Sequence, residues 1–263
     1  MEDIVTGLLL LSYGVLVALD FLAPARQLPK VKRWRLKGSA FFVLNFGLFS
    51  VLPFVWDAWL GEHRLLDASR LGTVGGAVVG LLALQLFSYV WHRSMHNVPF
   101  LWRWFHQMHH SAERIDIFGA MYFSPLDVLG FAFMGSLALV LVVGVSPQAA
   151  LLANLAATFA SLFQHANLRT PRWLGYIIQR PENHAQHHAR GVHAYNYGDI
   201  AFWDIVFGTF RNPATWDGEA GFYDGASTRI GEMLRGKDVS TPPATERALG
   251  GDATPSYAQL STH

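Results

Sequence analysis

The chain contains no cysteine. That absence excludes disulfides, thiolate-ligated haem, cysteine-held iron–sulfur clusters and thiolate zinc sites, so any metal must rest on nitrogen and oxygen ligands. Charge is scarce as well. Asp, Glu, Lys and Arg make up 15% of the 263 residues, against 51% hydrophobic, a balance unusual for a water-soluble domain. The formal net charge is only +1, without the basic surplus of a nucleic-acid binder, so no nucleic-acid partner is expected. No acid interrupts residues 26–37, which hold Arg26, Lys30, Lys32, Arg33, Arg35 and Lys37. The N-terminus lacks the positively charged opening of a secretory signal peptide, since the apolar run follows directly on Met1-Glu2-Asp3.

What the chain has instead is long apolar runs. About 20 apolar residues are needed to cross the hydrocarbon core of a bilayer. Runs over 4–22, 40–60 and 72–91 meet that requirement, with Pro53 expected to kink the second rather than end it. Two more, 126–143 and 148–164, are separated by Gly144-Val145-Ser146-Pro147, the turn chemistry of a helical hairpin. On the returning arm, Asn154, Thr158 and Ser161 read as interhelical packing points. The expected fold is therefore all-α: a polytopic, multi-pass membrane protein of about five transmembrane helices with a helical, histidine-rich cytoplasmic cap. Placing the basic stretch in the cytoplasm puts the N-terminus outside, and of 20 Lys and Arg residues only Arg64 and Arg70 then fall outside. From residue 236 onward the sequence is rich in Pro, Thr, Ala and Gly and reads as a disordered tail. The organisation expected is 1–39 as N-terminal helix and basic loop, 40–235 as main domain and 236–263 as tail.

Histidine supplies the chemistry. His92 and His96 are four apart, His106, His109 and His110 stand at i, i+3 and i+4, and His184, His187 and His188 repeat that triplet. Both spacings gather imidazoles on one helix face, as a shared metal ion requires. At 12 histidines in 263 residues, one such triplet is expected by chance only about 0.025 times. The charge-based topology puts all three motifs, and His165 at the end of run 148–164, on the cytoplasmic side. Nine imidazoles exceed one tetrahedral ion and suit two ions with several ligands each. Imidazole by itself leaves zinc, copper, iron and nickel open. Paired axial haem ligation has no use for the adjacent pairs His109-His110 and His187-His188. A transporter would want ionisable groups deep in its spans, which are nearly free of charge. An oxygen-activating di-iron centre beside a bilayer full of hydrocarbon accounts for more of the pattern, the alternative being a non-catalytic membrane metal-binding or metal-transport protein.

The pattern resembles the fatty acid hydroxylase/sterol desaturase superfamily. Its histidine boxes are similar to His92-Arg93-Ser94-Met95-His96, His106-Gln107-Met108-His109-His110 and His184-Ala185-Gln186-His187-His188. Phe163-Gln164-His165-Ala166-Asn167, Asn196-Tyr197-Gly198 and the 203–209 stretch resemble further family signatures, so the likeness runs from about residue 72 to 212. The run 4–22 would be an addition to the family's four-helix core. The resemblance implies an iron- and O2-dependent oxidoreductase that hydroxylates or desaturates a membrane lipid such as a sterol, fatty acyl or carotenoid. It carries metal ligation onto His92, His96, His106, His109, His110, His165, His184, His187 and His188. It also implies a separate electron donor: a ferredoxin, a cytochrome b5-like protein or a reductase. Two positions depart from the family. Ser124-Pro125-Leu126-Asp127 stands where many relatives have His-Pro-Leu-Glu, and Ser161 precedes His165 by one turn where some have another histidine.

The remaining histidines read as bystanders: His63 in the outer loop, His263 in the tail, and His193 as a solvated loop residue. Metal-bound histidines commonly give their second nitrogen to a carboxylate or carbonyl. The carboxylate candidates are Glu113, Asp116, Glu182, Asp199 and Asp204, with Asp204 the first choice.

Overall fold

The computed structural model describes residues 2–243, which are helical throughout apart from loops and two isolated bridges, Ile178 with Ile200 and Ala189 with Ala220. In chain order the helices are α1 (Glu2–Leu22), α2 (Trp34–Val51), α3 (Asp57–Glu62), α4 (Gly72–Asn97), α5 (Pro99–Leu101), α6 (Gln107–His110), α7 (Pro125–Ser136), α8 (Pro147–His165), α9 (Pro181–His187), α10 (Ala201–Val206) and α11 (Ile230–Met233). Two π-helical turns interrupt the pattern, Trp102–His106 before α6 and Leu137–Val142 after α7. Pro53 ends α2 rather than kinking it: the α-helix stops at Val51, and 3₁₀ geometry carries residues 52–55. Proline lacks the N–H a continuing helix needs, and its ring crowds the preceding turn.

Among the described residues, four helices are long and apolar enough to cross a membrane: Asp3–Leu22, Trp34–Val55, Ala68–Asn97 and Pro125–Val142. The fifth expected run is helical as α8 but falls outside this set. It carries Gln148, Asn154, Thr158, Ser161 and Gln164, and it packs along α4 and α1. The approach of α4 to its neighbours is close enough to require glycine. A Cβ on Gly76 would meet that of Ala149 at 2.9 Å, and one on Gly80 would meet the Leu139 side chain at 3.0 Å. Small residues at such crossings let helices pack in van der Waals contact where lipid removes the hydrophobic drive. Both α7 and α8 start with serine at the N-cap and proline at the first helical position. Ser124 Oγ accepts the Asp127 N–H at 3.1 Å, and Ser146 Oγ the Ala149 N–H at 3.3 Å.

The C-terminal ends of α1, α4 and α8 and the N-terminal ends of α2 and α7 gather at one end of the bundle, where the cap forms. Asp20, near the end of α1, ties two cap segments down by accepting the backbone N–H groups of Ile117 (2.8 Å) and Asn167 (2.7 Å). On α2, Trp34 is buried and donates to Asp116 at 2.8 Å, while its ring joins a core with Trp102, Met108 and Tyr122.

Packing continues past the expected boundary at 236. Gln107 donates to the Lys237 carbonyl at 2.9 Å and accepts the Val239 N–H at 3.1 Å, and Val239 is fully buried beside Trp102. Residues 237–243 therefore belong to the packed body, because Val239 supplies the apolar anchor that composition alone obscured. The rest of the expected tail, with His263, lies outside the described residues. Ending the chain at residue 236 is expected to cost about 2–3 kcal/mol from the lost valine burial and hydrogen bonds. Ending it at 243 keeps that contact and is the comparison. Thermal unfolding and metal content of the two truncations check this, and equal values would show that the 237–243 contact contributes nothing.

Candidate metal centre

α4 delivers His92 and His96 one turn apart on its buried face, just before it ends at Asn97. The chain reverses through α5, the π turn Trp102–His106 ends on His106, and α6 follows with His109 and His110. His165 is the last residue of α8, and α9 with its C-cap supplies His184, His187 and His188. All nine are buried. They sort into two groups whose ligand atoms lie within 4.8 Å of one another: His92, His96, His106, His110 and His187 in one, His109, His165, His184 and His188 in the other. Each triplet is divided the same way. The i and i+4 members go to one group and the i+3 member crosses to the other. The His110 and His188 rings stack at 4.1 Å across the two groups.

Hydrogen bonds fix the chemistry of several rings. The Nδ1 of His92 lies 2.6 Å from the Tyr197 carbonyl, that of His187 2.6 Å from the Tyr195 carbonyl, and that of His165 2.7 Å from the Ser161 carbonyl. The Nδ1 of His106 lies 2.8 Å from the Asp127 carboxylate. Those oxygens accept, so each Nδ1 carries the hydrogen and each neutral ring presents a bare lone pair at Nε2. These lone pairs converge: His92 Nε2 is 2.9 Å from that of His106 and 3.1 Å from that of His187. In the second group, His165 Nε2 is 2.9 Å from His184 Nε2 and 3.2 Å from His109 Nε2, and His188 Nε2 is 3.0 Å from His184 Nε2. Acceptors facing one another without a proton repel, and a shared cation removes the repulsion. Two imidazole nitrogens each about 2.1 Å from one ion stand at most about 4.2 Å apart, which accommodates these separations. Burial, reinforced by neighbouring imidazoles, holds His106, His109, His110, His184, His187 and His188 well below the ordinary histidine value of 6.5. The rings are thereby kept neutral, the form that binds metal.

The carboxylate that touches a member of either group is Asp127, fully buried at the start of α7. The sequence marks it only as the acid of Ser124-Pro125-Leu126-Asp127, a departure from the family pattern, and nothing there announces its pairing with His106, 21 residues away. Asp204 does not touch a histidine. It accepts from the Tyr197 N–H (2.9 Å), the Gly198 N–H (2.8 Å), Thr209 Oγ1 (2.6 Å) and Gln179 Nε2 (3.1 Å), fixing the loop whose Tyr197 carbonyl holds His92. Asp199 accepts from Gln85 and Gln164, Glu182 from Thr170, Glu113 from the Gly225 and Ser227 N–H groups, and Asp116 from Trp34 and Arg114.

His193 is no solvated loop residue. It is buried between Trp102 and Phe222, and its Nδ1 lies 3.0 Å from that of His110, so it orients a member of the five-histidine group. Burial pushes it down to about 3. The loop that carries it has left-handed backbone at His193 (φ 42°), Tyr195 (φ 70°) and Asn196 (φ 47°), positions that disfavour side-chain-bearing residues. That curl aims the carbonyls of residues 195 and 197 at His187 and His92. Asn196 pins it by donating to the Asn183 carbonyl (3.0 Å) and accepting the Arg211 N–H (2.8 Å). His63 sits at the opposite end of the bundle, stacked on Trp59.

Comparison with known proteins places these elements in context. A family profile described as fatty acid hydroxylase matches residues 77–209, a stretch that holds all nine histidines, Asp127 and the curled loop. The chain is similar to the ornithine lipid hydroxylase OlsE of Rhizobium tropici, 33% identical over 141 residues, covering 52% of this chain and 42% of that protein. It is similar to sphinganine C4-monooxygenase 1 of Arabidopsis thaliana, 27% identical over 156 residues, covering 58% and 60%. It is also similar to the very-long-chain aldehyde decarbonylase GL1-9 of Oryza sativa subsp. indica, 30% identical over 140 residues, covering 50% and 53%. The chain thus spans about half the length of the curated relatives it matches. No solved structure matches it.

Proposed function

The chain belongs to the fatty acid hydroxylase family, and from that premise we propose that it is an O2-dependent di-iron oxidoreductase that hydroxylates a membrane lipid. The observation that carries the reading is the convergence of imidazole nitrogens into two buried groups, one of five and one of four rings, with bare Nε2 atoms at His92, His106, His187 and His165. The nine histidines would hold one iron per group. Bound there, the irons would supply the O2 chemistry that puts oxygen into an unactivated C–H bond.

The chain's own residues do the rest. Asp127 and the carbonyls of Tyr195, Tyr197 and Ser161 lock four rings by their Nδ1–H groups. Phe123 stacks on His109 at 4.3 Å, and Phe131 lies 6.0 Å from His92 and 6.2 Å from Phe123. Those rings give the histidines an apolar wall against which a hydrocarbon chain can lie and from which water is excluded. The electron donor that the family resemblance implies is a separate ferredoxin, cytochrome b5-like protein or reductase. The relatives' names span an ornithine lipid, sphinganine and very-long-chain aldehydes, so substrate assignment needs comparative lipid profiling of cells with and without the protein.

Purified protein given a reductase system, lipid and 18O2 is expected to yield a labelled alcohol. An unlabelled alkene would mean desaturation instead, and an alcohol labelled only from water would sink the oxygenase reading. Hydroxylation is the expected outcome because hydroxyl return after C–H abstraction is simpler than removal of a second hydrogen.

The same reading places the catalytic unit at residues 40 to about 243, with α8 crossing as a fifth span, the N-terminus outside and the histidines on the cytoplasmic face. The charge bias supports it, with Arg64 and Arg70 alone outside among 20 Lys and Arg residues. A reporter fused after Ser69 is expected to read as extracytoplasmic, and fusions after Lys37 and Gly236 as cytoplasmic. Opposite readings for the last two would overturn this arrangement.

A further inference from the structure

α10 is amphipathic in the inverted sense. Its acid, Asp204, is fully buried with Ala201, while Phe202, Ile205, Val206 and the following Phe207 are 45–55% exposed. The 3₁₀ turn Arg172–Tyr176 lies beside it, joined where the Ala201 N–H donates to the Ile177 carbonyl at 3.2 Å, and exposes Trp173, Tyr176 and Ile177 at 57–63%. In water such a contiguous apolar face marks an interaction surface. Its location says what it meets.

Trp203 Nε1 donates to the Leu82 carbonyl of α4 at 2.9 Å, Gln85 accepts the Asp199 N–H at 2.9 Å, and Phe207 stacks on Tyr89 with centroids 5.1 Å apart. The membrane candidate containing α4 runs from Ala68 to Asn97, 30 residues. A bilayer core takes about 20 of them, and every 20-residue window within that helix contains both Leu82 and Gln85. Wherever the helix sits along its axis, the carbonyl that seats Trp203 is inside the hydrocarbon. The exposed face of α10 continues the outward face of α4, where Val78, Val79, Leu82 and Val90 are exposed.

We propose that α10, with Phe207 and the neighbouring 172–177 segment, is inserted into the bilayer alongside α4 and faces acyl chains, so that this part of the cap lies within the leaflet. Backbone groups at that depth must find partners inside the protein. At the end of α10 the Thr209 and Phe210 N–H groups donate to the Asp204 carbonyl at 2.8 and 3.1 Å, and the Phe207 N–H to the Trp203 carbonyl at 2.9 Å. A consequence is that a lipid could reach the histidines from the side, without leaving the membrane. The inference rests on the membrane reading of α4 and not on the chemistry at the histidines.

The absence of cysteine makes the test direct. The full chain carrying Val206→Cys, labelled with a nitroxide and reconstituted in phosphatidylcholine vesicles, is compared with Val79→Cys in the span and Asp224→Cys on the cap. Relaxation by O2, which partitions into hydrocarbon, is measured against relaxation by a water-soluble nickel chelate. The O2-to-nickel ratio at 206 is expected to fall within about twofold of that at 79 and roughly tenfold above that at 224, since hydrocarbon excludes the chelate. Phe202→Cys, on the same face, is expected to agree and serves where the 206 probe disturbs folding. A lipid-like 79 with water-like 206 and 202 would overturn the inference alone. A water-like 79 would overturn the membrane reading of α4 and the inference with it.

Discussion

The substitutions His187→Ala and His109→Ala are each expected to abolish turnover and to lower bound metal, because alanine leaves a ligand position that nothing nearby can fill. The two belong to different groups, so the losses should differ in kind. His187→Ala leaves four imidazoles in its group, whereas His109→Ala leaves three. The four-histidine group also has Ser161 one turn before His165, where a further imidazole would have stood on the same helix face. His109→Ala is therefore expected to give up its ion more readily to a chelator. Removing His187 also frees the Tyr195 carbonyl, which then lacks its 2.6 Å partner in a buried setting. Metal analysis per chain, before and after chelator challenge, measures both effects. If both variants kept two ions and normal turnover, the assignment of the nine histidines as ligands would fail.

Asp127→Ala should lower metal affinity or activity by about 10- to 100-fold, the usual cost of losing a group that orients a metal-bound histidine. The carboxylate holds His106 Nδ1 at 2.8 Å, fully buried, and its other oxygen has no hydrogen-bond partner. Its removal leaves a buried N–H without an acceptor and a ring free to rotate away from His92. Asp127→Asn keeps an acceptor of the same shape without the charge, so it should fall between alanine and wild type. The informative measurement is the metal content of both variants at rising chelator concentration, alongside turnover. If asparagine and alanine lowered metal affinity equally, the charge rather than the hydrogen bond would be what matters. If neither changed it, His106 would be held by something other than Asp127.

Much of this molecule is written locally in its sequence. The spans at α1, α4 and α7 follow from runs of apolar residues about as long as a bilayer core is thick, and Ser124-Pro125 and Ser146-Pro147 state where two helices begin. The histidine pattern singles out nine residues because an imidazole every third or fourth position is a helix-face signal that needs no tertiary information. Other features were legible only in part. Pro53 signalled a disturbance but not that α2 would end there. Gly236 marked a change in composition and hid the fact that Val239, three residues further on, is an anchor.

What the sequence by itself determined is which residues are available to a metal and that they lie near one end of a helical bundle. Tertiary structure decided how they are divided. A triplet at i, i+3 and i+4 covers an arc wide enough to serve two centres, and only the packing of α4, α6, α8 and α9 against one another assigns His106 and His110 to one group and His109 to the other. It also decided what holds the rings. Three of the four fixed Nδ1–H groups bond to backbone carbonyls, which every residue possesses and no residue type announces, and the fourth meets Asp127 only because α7 folds back beside the second box. The reason is one of range: side-chain periodicity reports on a helix's own faces, whereas a contact of about 3 Å between segments depends on where other helices carry their backbone.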